Sequence, residues 1–282
     1  MRIDGREIAK VIFEDLKNRV GEIRKRGVTP HLVIILVGDD HSSKAYIKQK
    51  GLRAAEIGAK TTLINFKDSV SGHELLSTIE QLNNDNAVHG IIVQRPLPKH
   101  IDKTIIDQAV SPKKDVDGFR QNSPFLPPLG IAVYKILQQV PNFSTKKIVI
   151  MGKGKTGGSP VMQVLKEQGI PFMLIDSKTT NPKDLTKTAD IIISTVGKPG
   201  IVHKGMLKQG VILIGVGMYK GNDEKLHGDY EEEEVKDIAS FYTPIPGGVG
   251  PVNVAMLLAN LVAASEKNTK IYPLDKGIKI LK

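Results

Sequence analysis

A chain of 282 residues with 40% hydrophobic content can bury a sizeable core, and its length favours two domains. Cysteine is absent, which excludes disulfides and thiolate metal sites, and no apolar run approaches the roughly 18 residues of a membrane span. Lys and Arg number 40 against 30 Asp and Glu, and this net charge of +10 favours anionic partners; the basic residues are scattered, Trp is absent and aromatics are 5%, so nucleic acid is not expected among them.

The start, MRIDGREIAK, is charged and has no secretory apolar stretch, so a cytoplasmic protein is expected. Over residues 5–26, Ile8, Val11, Ile12, Leu16 and Val20 recur at a helical period that Gly27 ends. HLVIILVG (31–38) reads as a buried strand, followed by a helix from about Ser42 to Ile57. TTLINF (61–66) is a second strand, 72–83 a crossover helix and HGIIVQ (89–94) a third strand, closed by the prolines of RPLP. DVDGFRQNSPFLPPLG (115–130) reads as loop, and a helix over Ile131–Val140 leads to a second alternating series. There KKIVIMG (146–152), PFMLID (171–176), ADIIISTVG (189–197) and GVILIGVG (210–217) are strands, and Pro160–Gly169 is a helix. EEEE (231–234) reads as a solvated helix start, and a last helix, Val252–Lys267, follows PIPGGVGP. Strands and helices alternating at these lengths predict parallel sheets covered on both faces, with a domain boundary near Pro141.

Gly-Lys-Thr at 154–156 has the form of a P-loop end, but the glycine required five positions earlier is Val149. The pattern G-x-G-x-x-G fits Gly152, Gly154 and Gly157 instead. It follows a strand and opens a helix, as a dinucleotide site requires. Asp176, at the end of the next strand, stands where an acidic residue would accept from ribose hydroxyls. In the first half, Ser42, Tyr46 and Lys50 form an i, i+4, i+8 stripe on the helix after the first strand. Gln94 and Asp117 lie in loops after apolar segments, where functional side chains project.

SSKAYIKQK, GIIVQRPLP, KKDVDGF and TPIPGGVGP occur in that order. Together they resemble the hallmark stretches of the bifunctional methylenetetrahydrofolate dehydrogenase/methenyltetrahydrofolate cyclohydrolase family, over residues 1–267. The resemblance implies an α/β protein of two domains with a deep cleft between them. The N-terminal folate-binding catalytic domain would span 1–140, completed by a C-terminal helix within 252–282, and a Rossmann-like NAD(P)-binding domain would span 141–251.

Carried over by matching position, Lys50 is the acid/base residue, Gln94 holds it by a hydrogen bond, and Tyr46 stacks on the pterin side of the folate. Asp117 accepts from pterin N–H groups. Ser42, Pro246, Gly247 and Gly248 are implied at the substrate, with the two glycines allowing close backbone approach. Gly152, Lys153, Gly154, Gly157, Asp176, Ser177 and Met218 are implied at the cofactor. The implied activities are oxidation of 5,10-methylenetetrahydrofolate and hydrolysis of the methenyl product to 10-formyltetrahydrofolate, within one-carbon metabolism. Tetrahydrofolate derivatives, polyglutamylated forms included, are the implied ligands. NADP is the family's default cofactor, no metal is implied, no membrane partner is implied, and a homodimer is.

The chain also departs from the pattern. The family's G-R-S-x-x-V-G-x-P reads GKGKTGGSP here, and Asp176-Ser177 stands for His-Ser. Arg95 replaces Leu in VQ-x-PLP, Asn253 replaces Thr after GGVGP, PCTPxG survives as FLPPLG, and the loop after DVDG is shorter by about a dozen residues. Asp176 favours NAD, whereas Lys153, Ser177 and Lys178 could surround the extra phosphate of NADP. Alternatives are a member keeping one of the two activities, or a basic nucleic-acid-binding protein with a vestigial nucleotide fold; the second needs basic residues clustered on one face.

Overall fold

Apolar runs rich in Ile and Val set the two sheets. In the computed structural model, which describes residues 1–266, the chain divides into two compact units. One comprises Ile12–Pro128 with residues 254–266, the other Met1–Val11 with Leu129–Asn253. Residues 267–282, with Lys267 and the rest of the expected completing segment, lie outside the described residues.

The first unit follows α1 (Gly5–Lys25), which crosses its boundary and whose Ile8, Ile12, Leu16, Val20 and Ile23 are all buried. Each such side chain contributes about 1.5–3 kcal/mol of burial. Next come β1 (His31–Val37), α2 (His41–Glu56), β2 (Lys60–Phe66), α3 (Gly72–Asn84), β3 (Gly90–Val93) and α4 (Lys103–Ala109). The sheet is parallel, in the order β2-β1-β3. Central β1 is buried along almost its whole length, so it reads as a continuous apolar run, whereas edge strand β2 carries the polar and exposed positions. Helix α4 was not among the predicted elements. Asp102 caps it, accepting from the backbone N–H of Thr104 (2.7 Å) and Ile105 (3.2 Å).

The second unit runs through α5 (Pro128–Leu137), β4 (Ile148–Met151), α6 (Gly158–Glu167), β5 (Met173–Ile175), α7 (Pro182–Thr188), β6 (Ile191–Ser194) and β7 (Ile212–Gly215). A hairpin, β8 (Met218–Lys220) and β9 (Leu226–Gly228), precedes α8 (Glu232–Val235), β10 (Phe241–Tyr242) and α9 (Val249–Ser265), which crosses the unit boundary. Five parallel strands take the order β10-β7-β6-β4-β5, a doubly wound arrangement with its switch point between β4 and β6. Helix α5 starts three residues before its expected position, because Pro128 is tolerated in a first turn whose N–H groups have no helical partner. From Leu129 on it clusters with the second unit, while sequence reasoning places the boundary near Pro141. Gly130 explains the packing: a Cβ there would overlap the Pro160 carbonyl oxygen of α6.

Candidate active site

In an open parallel sheet, ligands bind outside the carboxyl ends of the strands at the switch point. In the first unit that place lies between β1 and β3. Helix α2 starts there behind Asp40, whose carboxylate accepts from Ser43 N–H (2.7 Å), and Gln94 leaves β3 there, its N–H bonded to the Ile35 carbonyl (2.8 Å). The stripe on α2 brings Lys50 under Tyr46, with Nζ 4.7 Å from the ring centroid. Lys50 is 4% exposed and donates to Gln94 Oε1 (3.1 Å). Gln94 is in turn oriented by its Nε2 donating to the Arg95 carbonyl (3.0 Å). The Ser42 side chain lies outside the described residues.

Asp117 reaches this pocket from the 115–126 loop, which several contacts fix. The Asp115 carboxylate accepts from the N–H groups of Phe119 (3.3 Å) and Arg120 (2.9 Å). Gly118 takes φ +67, and a Cβ would come to 2.8 Å from the Phe125 carbonyl oxygen. Buried Asn260 of α9 donates to the carbonyls of Val116 (2.8 Å) and Leu126 (3.0 Å), holding both ends of the loop.

Charge is concentrated here in a low-dielectric setting. Burial lowers the Lys50 pKa, and the Asp117 carboxylate opposes that shift. Burial raises the Asp117 pKa, against the pull of Lys50 and Arg95. Asp115 is pushed up to about 6, chiefly by burial. Arg95 Nη2 forms an ion pair with Asp107 of α4, and its guanidinium lies 5.7 Å from the Phe119 ring centroid. A lysine held beside a carboxylate with its proton affinity lowered suits proton transfer near neutral pH.

In the second unit, Gly152 leaves β4 at φ +95, and its Cβ position lies 2.8 Å from Thr195 Oγ1 at the end of β6. Gly158 is forced too, since a Cβ would overlap the Gly152 carbonyl oxygen. Gly154 faces open space, and Gly157 caps α6 without a side-chain acceptor, so the helix N-terminus is open to an anion. These features fit the pyrophosphate of a dinucleotide. Asp176 stands after β5, and Lys153 reaches it (Nζ to Oδ2, 2.6 Å). Its carboxylate also accepts from Lys178 N–H (2.9 Å); Lys153, then this bond, lowers its pKa. Ser177 is exposed in the same turn, and Met218 is exposed on β8 with its carbonyl oxygen 2.9 Å from the Cβ position of Gly197.

Pro246, Gly247 and Gly248 form the turn into α9. Gly247 takes φ +113 and accepts from Gly5 N–H (3.0 Å), and a Cβ on Gly248 would lie 2.6 Å from the Pro244 carbonyl oxygen. The structure thus brings Tyr46, Lys50, Gln94 and Asp117 together in one unit. It gathers Gly152, Lys153, Gly154, Gly157 and Asp176 in the other.

Sequence reasoning missed Asp107, Gly158 and Asp229. Asp229 is wholly buried and accepts from Ser194 Oγ (2.5 Å) and from the N–H groups of Val196 (2.9 Å), Gly197 (2.7 Å) and Lys198 (2.9 Å), fixing the loop after β6. Its partners lie more than 30 positions away, so no local pattern marks it. Among the described residues, no group of three or more His, Asp and Glu is placed to hold a metal ion, and no helix is long and apolar enough to cross a membrane.

Residues 3–117 match the family described as tetrahydrofolate dehydrogenase/cyclohydrolase, catalytic domain, and 127–269 match its NAD(P)-binding domain. A bifunctional protein FolD of Staphylococcus epidermidis is 38% identical over 274 residues, 94% of this chain and 96% of that protein. The solved structure of the bifunctional FolD dehydrogenase/cyclohydrolase of Campylobacter jejuni superposes with a TM-score of 0.89 at 35% identity, covering 95% of this chain and 99% of that one. That of the Trypanosoma brucei enzyme, complexed with NADP and an inhibitor, gives 0.87 at 30% identity, covering 95% and 97%.

Proposed function

The chain belongs to the tetrahydrofolate dehydrogenase/cyclohydrolase family, and from that premise we propose which residues carry each of its two reactions. It oxidises 5,10-methylenetetrahydrofolate to the methenyl cation with a nicotinamide dinucleotide, and hydrolyses that cation to 10-formyltetrahydrofolate. Gly152, Lys153, Gly154, Gly157 and the N-terminus of α6 hold the dinucleotide, which supplies the hydride acceptor. Hydride transfer asks little of acid/base groups and much of alignment. Asp117 therefore serves by fixing the pterin through its N–H groups, and Tyr46 by offering a flat face to the rings.

Hydrolysis needs protons moved. Water adds to the methenyl carbon and loses a proton. The hydroxyl so formed then loses its own proton and becomes the formyl carbonyl, as the C–N bond to N5 breaks and N5 gains a proton, so one proton is released overall. Lys50 serves as the group that takes and returns the proton, with Gln94 keeping its amine in place. The observation carrying this reading is the buried Lys50 ammonium, bonded to Gln94 and beside Asp117. Lys50→Met is expected to cut cyclohydrolase turnover by about 10²–10⁴-fold while folate binding stays measurable. Near-normal hydrolysis in the folded variant removes Lys50 from the mechanism.

For the cofactor, NADP is the preferred dinucleotide and NAD a usable one: Lys153 offsets the Asp176 carboxylate but does not remove it. Family membership extends the reading to polyglutamylated folates, a homodimer and a cytoplasmic setting. Light scattering and substrate chain-length series check the first two, and fractionation of the producing cell the third.

A further inference from the structure

Arg95 occupies a position where the family pattern has Leu, and neither proposed reaction uses it. Its backbone carbonyl accepts from Gln94 Nε2 (3.0 Å) and Ser43 Oγ (3.3 Å), contacts any residue could make. The side chain makes others. Nη2 is paired with Asp107, whose side chain is 6% exposed, and the guanidinium lies over Phe119, two residues beyond Asp117. Nη1 is buried and has no hydrogen-bond partner among the described residues. One arm of the cation is thus committed to Asp107 and the other is not. A buried donor in this state is costly, which asks for a compensating purpose.

We propose that Arg95 sets the charge state of Asp117, and with it the pH range over which the pocket takes its folate. This rests on the reading of Asp117 as the carboxylate that binds the pterin. The charged groups acting on Asp117 are Lys50 from α2, Arg95 from the loop after β3, Asp107 from α4 and Asp115 from its own loop. Burial favours the protonated acid, which can no longer accept from two N–H donors. Lys50 opposes protonation, but its own hold on a proton is weakened by burial and it must give the proton up in turnover. Arginine cannot be deprotonated in a protein, so Arg95 is the cation that persists through the cycle. Asp107 moderates it and acts on Asp117 in the opposite sense.

The test is the pH dependence of kcat/KM for methylenetetrahydrofolate at saturating dinucleotide. Arg95→Leu is expected to move the acidic limb up by about one pH unit or more, and Arg95→Lys to leave it near the wild-type position. Asp107→Asn should move the limb the other way, a reversal that general damage to the fold does not produce. It also carries the test should Arg95→Leu unfold, because it leaves no buried carboxylate unpaired. Dinucleotide affinity reports that each variant is folded. An unmoved limb in folded Arg95→Leu, or in Asp107→Asn, overturns the inference. Asp117→Asn separates the two levels. If it keeps wild-type folate affinity, the reading of Asp117 fails. If it loses affinity while the Arg95 and Asp107 variants keep the wild-type limb, only the Arg95 inference fails.

Discussion

The pocket around Lys50 and the turn around Gly152 both lie past the carboxyl end of a central parallel strand, in different units of the chain. The first is made of side chains drawn from four separate stretches, Lys50, Gln94 with Arg95, Asp107 and Asp115 with Asp117, and its charges are buried or half-buried. The second is made largely of backbone over seven consecutive residues, and in its Lys153–Asp176 ion pair the cation is more than half exposed. In low dielectric a charge is worth several times what it is worth at the surface. Substitutions should therefore be costly and pH-dependent in the first region, and steric or modest in the second.

Asp117→Ala gives the largest expected effect of the comparison beyond Lys50. Removing a charged acceptor from buried ligand donors should weaken folate binding by about 2–5 kcal/mol, read by titration calorimetry. Dinucleotide binding should hardly change. Equal losses of both ligands would make Asp117 a structural part of its turn and remove the contrast between the regions.

Asp115 tests the buried region by pH. Its folded pKa of about 6 lies above the ordinary aspartate value, so between the two the folded chain binds more protons than the unfolded one. Its contribution is fully present below the unfolded pKa and is lost as pH rises through 6, a fall of up to about 3 kcal/mol. Urea unfolding at pH 4.5 and 7.5 should show this component in the wild type and not in Asp115→Asn. The same pH slope in both proteins would mean that Asp115 titrates as it does when unfolded.

Gly158 and Gly154 sharpen the comparison from the other side. A Cβ on Gly158 meets the Gly152 carbonyl, which cannot yield cheaply, whereas Gly154 has open space around it. Gly158→Ala should cost about 1–3 kcal/mol of stability by overpacking, and Gly154→Ala should leave the free protein unaffected. Thermal melts without ligand decide it, and equal melting temperatures for the two variants would contradict the geometry.

Legibility in the sequence follows the same division. The strand–glycine–helix turn was readable because its parts are adjacent and the apolar run before it fills buried β4. The template nevertheless placed the last glycine at 157, when Gly158 is the one the packing forces. In the other pocket, the i, i+4, i+8 stripe gave Tyr46 and Lys50 one face of α2, but spacing alone could not link Lys50 to Gln94, 44 positions away; the family resemblance supplied that link. Asp107 stayed hidden because α4 has only seven residues, too few for a period to show, and its signal was the Asp102 cap. The hairpin β8–β9 escaped for a similar reason, with three residues per strand. Arg95 was visible only as a departure, since what it faces comes from α4 and the Asp117 loop.

The smallest expected effect is the choice of dinucleotide, and it tests whether surface charge matters at all in the second region. An aspartate after β5 that bound both ribose hydroxyls would repel the 2′-phosphate of NADP. Here Lys153 and the Lys178 N–H already engage the Asp176 carboxylate, so part of its charge is offset and part of its acceptor capacity is taken. Two charges a few ångströms apart at an exposed site interact by roughly 1–4 kcal/mol, screened further by salt. Asp176→Ser deletes the repulsion and releases Lys153 at once, and both changes favour a phosphate. The ratio of kcat/KM for NADP to that for NAD should rise by about tenfold or more, about 1.4 kcal/mol. Lys153→Met should move it the other way by exposing the carboxylate. The shift should shrink as salt rises, and more so than the loss in Asp117→Ala, whose carboxylate is half-buried. If neither substitution moves the ratio, the pair lies away from the ribose and the preference is set elsewhere on the second sheet.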